Sequence, residues 1–140
     1  MSIQKKDKMK SIIIAAVFSA LLASCKKETA ETTISTNLIF TSVTTPPTAL
    51  QGKDIVSTVR FYAPDLCHSF NGIQIKPNAD KQFDISIKAT IPNSASGIAC
   101  AQVLTYFDTT INVATTTKGK YILRFYNNDI LFKADTVQVN

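Results

Sequence analysis

Residues 82–91, Gln82-Phe83-Asp84-Ile85-Ser86-Ile87-Lys88-Ala89-Thr90-Ile91, alternate apolar and polar side chains with a period of two. That period puts Phe83, Ile85, Ile87, Ala89 and Ile91 on one face and Asp84, Ser86, Lys88 and Thr90 on the other. This is the pattern of a half-buried β-strand. Pro92-Asn93-Ser94 ends it. Upstream, Ile34, Leu38 and Phe40 share one face of a first strand that stops before Pro46-Pro47, and Ile55, Val59 and Phe61 line a second that stops before Pro64. A third segment runs from Cys67 to Lys76 with Phe70, Ile73 and Ile75, and Asn71-Gly72 within it marks a bulge or turn. Downstream, strands are expected at 98–107 and 109–114. Two more follow, 120–126 and 130–139, joined by the hairpin loop Asn127-Asn128-Asp129. No stretch after residue 32 carries a 3.6-residue period.

Seven to eight short strands predict an all-β domain over residues 33–140, a two-layer antiparallel β-sandwich. An eight-stranded barrel is the alternative arrangement. The 17 threonines and the 11 Phe and Tyr that follow residue 24 suit strands. Gly119-Lys120-Tyr121-Ile122-Leu123 resembles the opening of the penultimate strand of immunoglobulin-like domains, where the Tyr hydroxyl bonds back to nearby backbone as a "tyrosine corner". An ordinary half-buried strand Tyr is the other reading. The fold class expected is therefore an immunoglobulin-like antiparallel β-sandwich.

The first quarter of the chain follows different rules. Lys5, Lys6, Lys8 and Lys10 stand against one Asp7 in a basic head of net charge +3. An apolar run follows, from Ile12 to Phe18 and on through Ala20, Leu21, Leu22 and Ala23. At about a dozen residues it is short of the roughly 20 that a membrane-spanning helix needs, and it has the anatomy of a secretory signal peptide. It ends in Leu22-Ala23-Ser24-Cys25, which resembles the lipobox of bacterial lipoproteins. The resemblance implies a lipoprotein signal peptide helix over residues 1–24, cleavage between Ser24 and Cys25, and lipidation of the Cys25 thiol. Each buried methylene contributes about 0.8 kcal/mol, so more than one acyl chain is needed for stable anchoring. Residues 25–32 then read as the lipidated Cys and a flexible, polar tether.

The whole chain carries 15 Lys+Arg and 10 Asp+Glu, a net charge of +5. Without residues 1–24 the counts are 11 and 9, a net charge of +2. Basicity therefore belongs mostly to the export segment, and no Lys/Arg cluster interleaved with aromatics argues for nucleic acid. With Cys25 assigned to lipid, Cys67 and Cys100 form an even pair in a compartment that permits oxidation, and a disulfide between them is expected. Two buried free thiols are the other reading.

No catalytic arrangement is legible, and the chain reads as a non-enzyme without cofactor or metal. Cys67-His68 invites a thiol-nucleophile reading, but strand neighbours point to opposite faces and a bridged Cys is no nucleophile. There is no Gly-x-Ser-x-Gly elbow, phosphate-binding Gly-rich loop or His-Glu-x-x-His. Three Cys and one His are too few for a usual four-ligand zinc site. The acids Asp54, Asp65, Asp80, Asp84, Asp108, Asp129 and Asp135 are scattered rather than paired. The stronger lead is three adjacent aromatic pairs: Phe61-Tyr62, Tyr106-Phe107 and Phe125-Tyr126. With Phe61 and Phe125 inside, Tyr62 and Tyr126 stand outside and form a candidate binding surface for protein or carbohydrate. Cross-strand Tyr packing on a solvated sheet is the plainer alternative. Asp108-Thr109-Thr110 and Asp135-Thr136-Val137 match the Asp-Ser/Thr-apolar tripeptide of O-glycosylation in Bacteroidota, with Thr109 and Thr136 as acceptors.

From Cys25 onward the chain resembles small lipoproteins of Bacteroidota. The shared features are Ser24-Cys25-Lys26-Lys27, the mid-domain cysteines Cys67 and Gly97-Ile98-Ala99-Cys100, and the ending Gly119-Lys120-Tyr121-Ile122-Leu123-Arg124-Phe125-Tyr126. The resemblance implies an exported protein, lipid-anchored to the outer membrane, with an immunoglobulin-like fold and no stated activity. Lys26-Lys27-Glu28 only partly fits a surface-export signal and leaves the periplasmic or surface face open. The expectation is a non-enzymatic binding module that meets the membrane through its lipid and an envelope protein or glycan through its domain. The alternative is an accessory subunit of an outer-membrane complex.

Overall fold

The computed structural model describes residues 33–94 and 97–140. The signal segment 1–24, Ser24, Cys25 and the tether 25–32 lie outside the described residues. Eight strands follow in chain order: β1 (Thr33–Thr44), β2 (Thr48–Ala49), β3 (Ile55–Ala63), β4 (Ser69–Ala79), β5 (Gln82–Pro92), β6 (Thr105–Val113), β7 (Gly119–Asn127) and β8 (Ile130–Val139). The fold is all-β, as the alternation of 82–91 predicts. Among the described residues no helix is long and apolar enough to cross a membrane.

The strands form one hydrogen-bonded path folded into two sheets about β1. The larger sheet places β4, β5, β7, β8 and β2 side by side. The smaller sheet consists of the second half of β1, then β3, then β6. The first half of β1, Thr33 to Leu38, pairs with β5 in the larger sheet, and from Ile39 onward β1 pairs with β3. Thr41 is an extra residue between the paired positions Phe40 and Ser42, a bulge. One inserted residue reverses which side chains face the core. Leu38 and Phe40 are therefore buried before it and Val43 after it.

Where β1 leaves β5, its exposed edge is covered by side chains. The Phe40 N–H donates to Asn127 Oδ1 at 2.7 Å, and Asn127 Nδ2 donates to the Phe40 carbonyl at 3.2 Å. Lys133 Nζ donates to the Val43 carbonyl at 2.7 Å. These contacts satisfy backbone groups that would otherwise be buried without partners.

The core draws on both sheets. Phe40, Phe61, Phe125, Leu38, Ile55, Ile85, Ile87, Ile111 and Leu123 are fully buried. Each such side chain contributes about 1.5–3 kcal/mol by leaving water. The Phe40 and Phe125 rings meet edge-to-face at 5.6 Å between β1 and β7. Tyr121 is buried, its hydroxyl donates to the Thr117 carbonyl at 3.0 Å, and it accepts from the Thr117 N–H at 3.4 Å. This is the bond back to nearby backbone that Gly119-Lys120-Tyr121 suggested.

The structure corrects several expectations. Residues 98–104 form no strand; β6 begins at Thr105 and runs unbroken through Asp108 to Val113. The expected break at Asp108 is absent because its carboxylate points outward and pairs with Arg60 across the ladder. β4 continues past Lys76 through Pro77 to Ala79. Proline is tolerated there because β4 pairs only with β5 and so is an edge strand. Ile34 is 46% exposed, at the open end of its ladder, rather than sharing the burial of Leu38 and Phe40. Nor is the sandwich antiparallel throughout: β2–β8 and β5–β7 are parallel ladders. Parallel pairing needs a crossover. Here the chain leaves β5, builds β6 in the smaller sheet and returns as β7 beside β5.

Candidate functional site

Both tyrosines of the expected binding surface are half-buried above a buried Phe neighbour, but they do not share a face. Tyr62 lies on β3 in the smaller sheet, and Tyr126 lies on β7 in the larger one. The single Tyr surface expected from the sequence is therefore two separate surfaces.

The Tyr62 surface is closed on itself. β3 and β6 pair without interruption from Ile55↔Val113 to Ala63↔Thr105. Tyr62 meets Tyr106 directly across the ladder, with ring centroids 5.8 Å apart. Arg60 lies 5.3 Å over the Tyr106 ring and 3.5 Å from the Asp108 carboxylate. Each outward group has a cross-strand neighbour, and the surface is a flat ladder.

The Tyr126 surface is open, and the cause is a fork in the larger sheet. Along one edge β5 pairs with β4 over nearly its whole length. Along the other it pairs with β7 from Gln82 to Ile85, then with β1 from Ile87 to Pro92. Between these ladders β7 and β1 diverge, and a cleft of about 310 Å³ opens on the outer face. Ser86 lies at its floor, with Gln74 opposite on β4. Tyr126, Asn128 and Asp129 line the side of β7 and its hairpin turn, and Asn37 and Lys88 line the side of β1. Lys76 and Asp84 complete the rim as a cross-strand pair. Asn128 takes a left-handed backbone (φ 55°), which asparagine adopts more readily than most residues.

Some of these side chains are already held. Arg124 donates through Nε to Asp84 Oδ1 at 2.8 Å, with Nη2 also 2.8 Å from that oxygen. Asn78 Nδ2 donates to Asp84 Oδ2 at 3.0 Å. Lys88 Nζ donates to Asn37 Oδ1 at 2.8 Å. Gln74, Lys76, Ser86, Tyr126, Asn128 and Asp129 make no side-chain hydrogen bond or ion pair among the described residues.

At the end of the β3–β6 ladder, Cys67 and Cys100 form a disulfide with Cα atoms 5.4 Å apart. The bridge joins the loop after β3 to the segment before β6. Beside it, Asp65 Oδ1 accepts from the Cys67 N–H at 2.9 Å and lies 2.8 Å from His68 Nδ1. The hydrogen bond from His68 holds the Asp65 carboxyl below its ordinary value of 3.8; burial opposes this, and the Cys67 N–H adds to it. An Asp65 oxygen and both sulfurs lie within 4.8 Å of one another. The sulfurs are bonded to each other, so neither offers the thiolate a metal ion would take.

The two candidate glycosylation sites differ in access. Thr136 is exposed on β8, where it pairs with Ile122. Thr109 is half-buried and shares the inward register of Phe107 and Ile111 on β6. Sequence reasoning missed the convergence of Asn37, Gln74, Ser86 and Asn128 on Tyr126. Only the outward set Asp84, Ser86 and Lys88 pointed to that face.

A family model, the ORF11 beta-sandwich domain, matches residues 57–139, more than half of the 140-residue chain. The chain belongs to this family. The matched stretch of the ORF11 domain runs from within β3 to the end of β8. It contains the disulfide, Tyr62, Tyr126 and every cleft residue except Asn37. No curated protein and no solved structure matches the chain.

Proposed function

We propose that this ORF11 β-sandwich protein is a lipid-anchored cell-envelope protein of Bacteroidota type. Its immunoglobulin-like domain acts as a non-enzymatic binding module. The observation that carries the binding reading is the Tyr126 cleft, whose rim and floor hold six polar side chains without hydrogen-bond or ion-pair partners among the described residues. Ligand sites are concave and carry convergent polar groups on a mostly apolar lining; this cleft has the polar groups, with Tyr126 and Ile85 as its apolar part. The Tyr121–Thr117 corner supports the immunoglobulin-like assignment. Leu22-Ala23-Ser24-Cys25 behind a basic head and apolar run supports the anchor, and the disulfide suits an oxidising compartment.

Asp84 and Asp129 both line the cleft, which raises glycoside hydrolysis as a rival. Both oxygens of Asp84 are occupied by protein donors. Those donors fix Asp84 in place, Asp129 makes no side-chain hydrogen bond or ion pair among the described residues, and release of shortened saccharide is the measurement that separates hydrolysis from binding.

A second reading, an accessory subunit of an outer-membrane complex, has its own observation. Leu66, Ile98 and Leu104 are 61%, 60% and 55% exposed in the loops beside the disulfide, held close by the Leu66 N–H to Ala101 carbonyl bond at 3.1 Å. If these exposed apolar side chains form one patch, they favour a protein partner.

The anchor is tested by fractionating cells that express wild type or Cys25→Ala. The expected result is that wild type, labelled by radioactive palmitate, stays with the membrane and the variant does not. Retention of the variant in the membrane fraction contradicts it. The accessory reading is tested by Leu66→Asp with Leu104→Asp, which should abolish crosslinking to a partner while leaving the cleft intact.

A further inference from the structure

We propose that the fork cleft is a saccharide site that takes an uncharged sugar of one or two rings. This rests on the binding-module reading and names its ligand class.

Size is the first argument. About 310 Å³ is at the low end of the roughly 300–1,000 Å³ typical of small-molecule sites. A strand or helix of a protein partner needs a long groove, and the cleft ends where β1 and β7 meet β5.

Charge is the second. The lining holds two lysines, Lys76 and Lys88, and two aspartates, Asp84 and Asp129. An anionic ligand such as a phosphate ester selects for surplus positive charge, and a metal cation for converging carboxylates. Here the signs balance, and Asp84 and Lys88 are already bonded within the protein.

The donors and acceptors left over also suit a sugar. Gln74, Asn128, Ser86 and Asp129 offer carbonyl, amide, hydroxyl and carboxylate groups from three directions around one small volume. A ring bearing several hydroxyls, each both donor and acceptor, can satisfy such a set at once. Tyr126 supplies what those groups lack, an aromatic body for the apolar C–H face of a sugar and a phenol for its edge. Asn37 is fixed by Lys88, and the Asn128 backbone stands on a two-residue turn between paired strands. The exposed side chains of Gln74, Asn128 and Asp129 are ordered only on binding, so the affinity expected is weak.

The test uses the full-length protein in detergent micelles on an array of neutral saccharides, among them lactose and N,N′-diacetylchitobiose. Sialylated glycans, sulfated glycans and acidic peptides form the other arms. The expected result is retention on neutral saccharides. Tyr126→Ala should weaken it ~10-fold or more, and Tyr126→Phe should retain most of it. Tyr62→Ala, on the other sheet, should leave it unchanged and serves as the folding control. Failure to retain any neutral saccharide, or preference for the charged arms, overturns the assignment. If acidic peptide is retained and lost in Tyr126→Ala, the saccharide assignment fails and the binding-module reading stands. Release of shortened saccharide, read by mass spectrometry, sustains the ligand class and overturns the non-enzymatic reading.

Discussion

Tyr62 and Tyr126 each follow a buried Phe and each end up half-buried on the outside of a sheet, yet their surroundings differ. Around Tyr62 the β3–β6 ladder is continuous, and Tyr106, Arg60 and Asp108 occupy one another. Around Tyr126 the ladder divides, and Gln74, Ser86, Asn128 and Asp129 line a cleft without side-chain hydrogen bonds among the described residues. Aromatic content does not separate the two surfaces; strand pairing does. A strand with a full-length neighbour fills its own outer surface, whereas a strand that exchanges one neighbour for another leaves a gap where the two part.

The largest test of this contrast acts on the closed side. The Cys67–Cys100 bridge, with a sequence separation of 33, clamps the end of the β3–β6 ladder. Opening it with Cys67→Ala and Cys100→Ala should cost about 3.8 kcal/mol in chemical denaturation, by the chain-entropy estimate for a loop of this size. Saccharide retention by the protein that stays folded should not change, because the cleft is built by other strands. Next is Asn127→Ala on the open side. It strips two hydrogen bonds from the backbone of Phe40 and should cost about 2–3 kcal/mol. Unlike the cysteine change, it should also weaken retention, since Asn127 ties β1 to β7 beside the fork.

The two tyrosine variants separate the closed surface from the open one. Tyr62→Ala should destabilise by about 1 kcal/mol, the scale of a lost aromatic pair. Tyr126→Ala should cost less, about 0.5–1 kcal/mol, because the ring is half-buried but makes no ring contact among the described residues. Thermal melts of the two variants check this. The smallest effect concerns pH. Asp65 has a folded-state pKa below its unfolded value, so its contribution is present above pH 3.8 and is lost as pH falls through the lower folded value. Asp65→Asn should flatten the acid limb of the stability–pH curve. A limb unchanged by the substitution contradicts the His68–Asp65 account.

Much of the fold was legible where local chemistry decides it. The alternation at 82–91 located β5, Asn71-Gly72 marked a true register shift in β4, and Asn127-Asn128-Asp129 located the last hairpin turn. The even cysteine pair foretold the disulfide, and Tyr121 foretold its bond to Thr117. What escaped depends on long-range pairing. The Thr41 bulge is hinted at only by the three-residue spacing of Phe40 and Val43. Ile98, Val103 and Leu104 look like a strand, but among the described residues no strand pairs with them and they stay exposed. The β5–β7 parallel ladder, and with it the fork, joins residues about 40 positions apart. Nothing local in either strand announces the other. The site was therefore legible only as Tyr126 and, separately, the outward residues Asp84, Ser86 and Lys88 of β5.

The most direct test is the amide spectrum of the isotope-labelled full-length protein titrated with lactose and with N,N′-diacetylchitobiose. The account predicts shift changes grouped on Asn37, Gln74, Ser86, Tyr126 and Asn128. Changes centred on Tyr62, Tyr106 and Asp108 would contradict it.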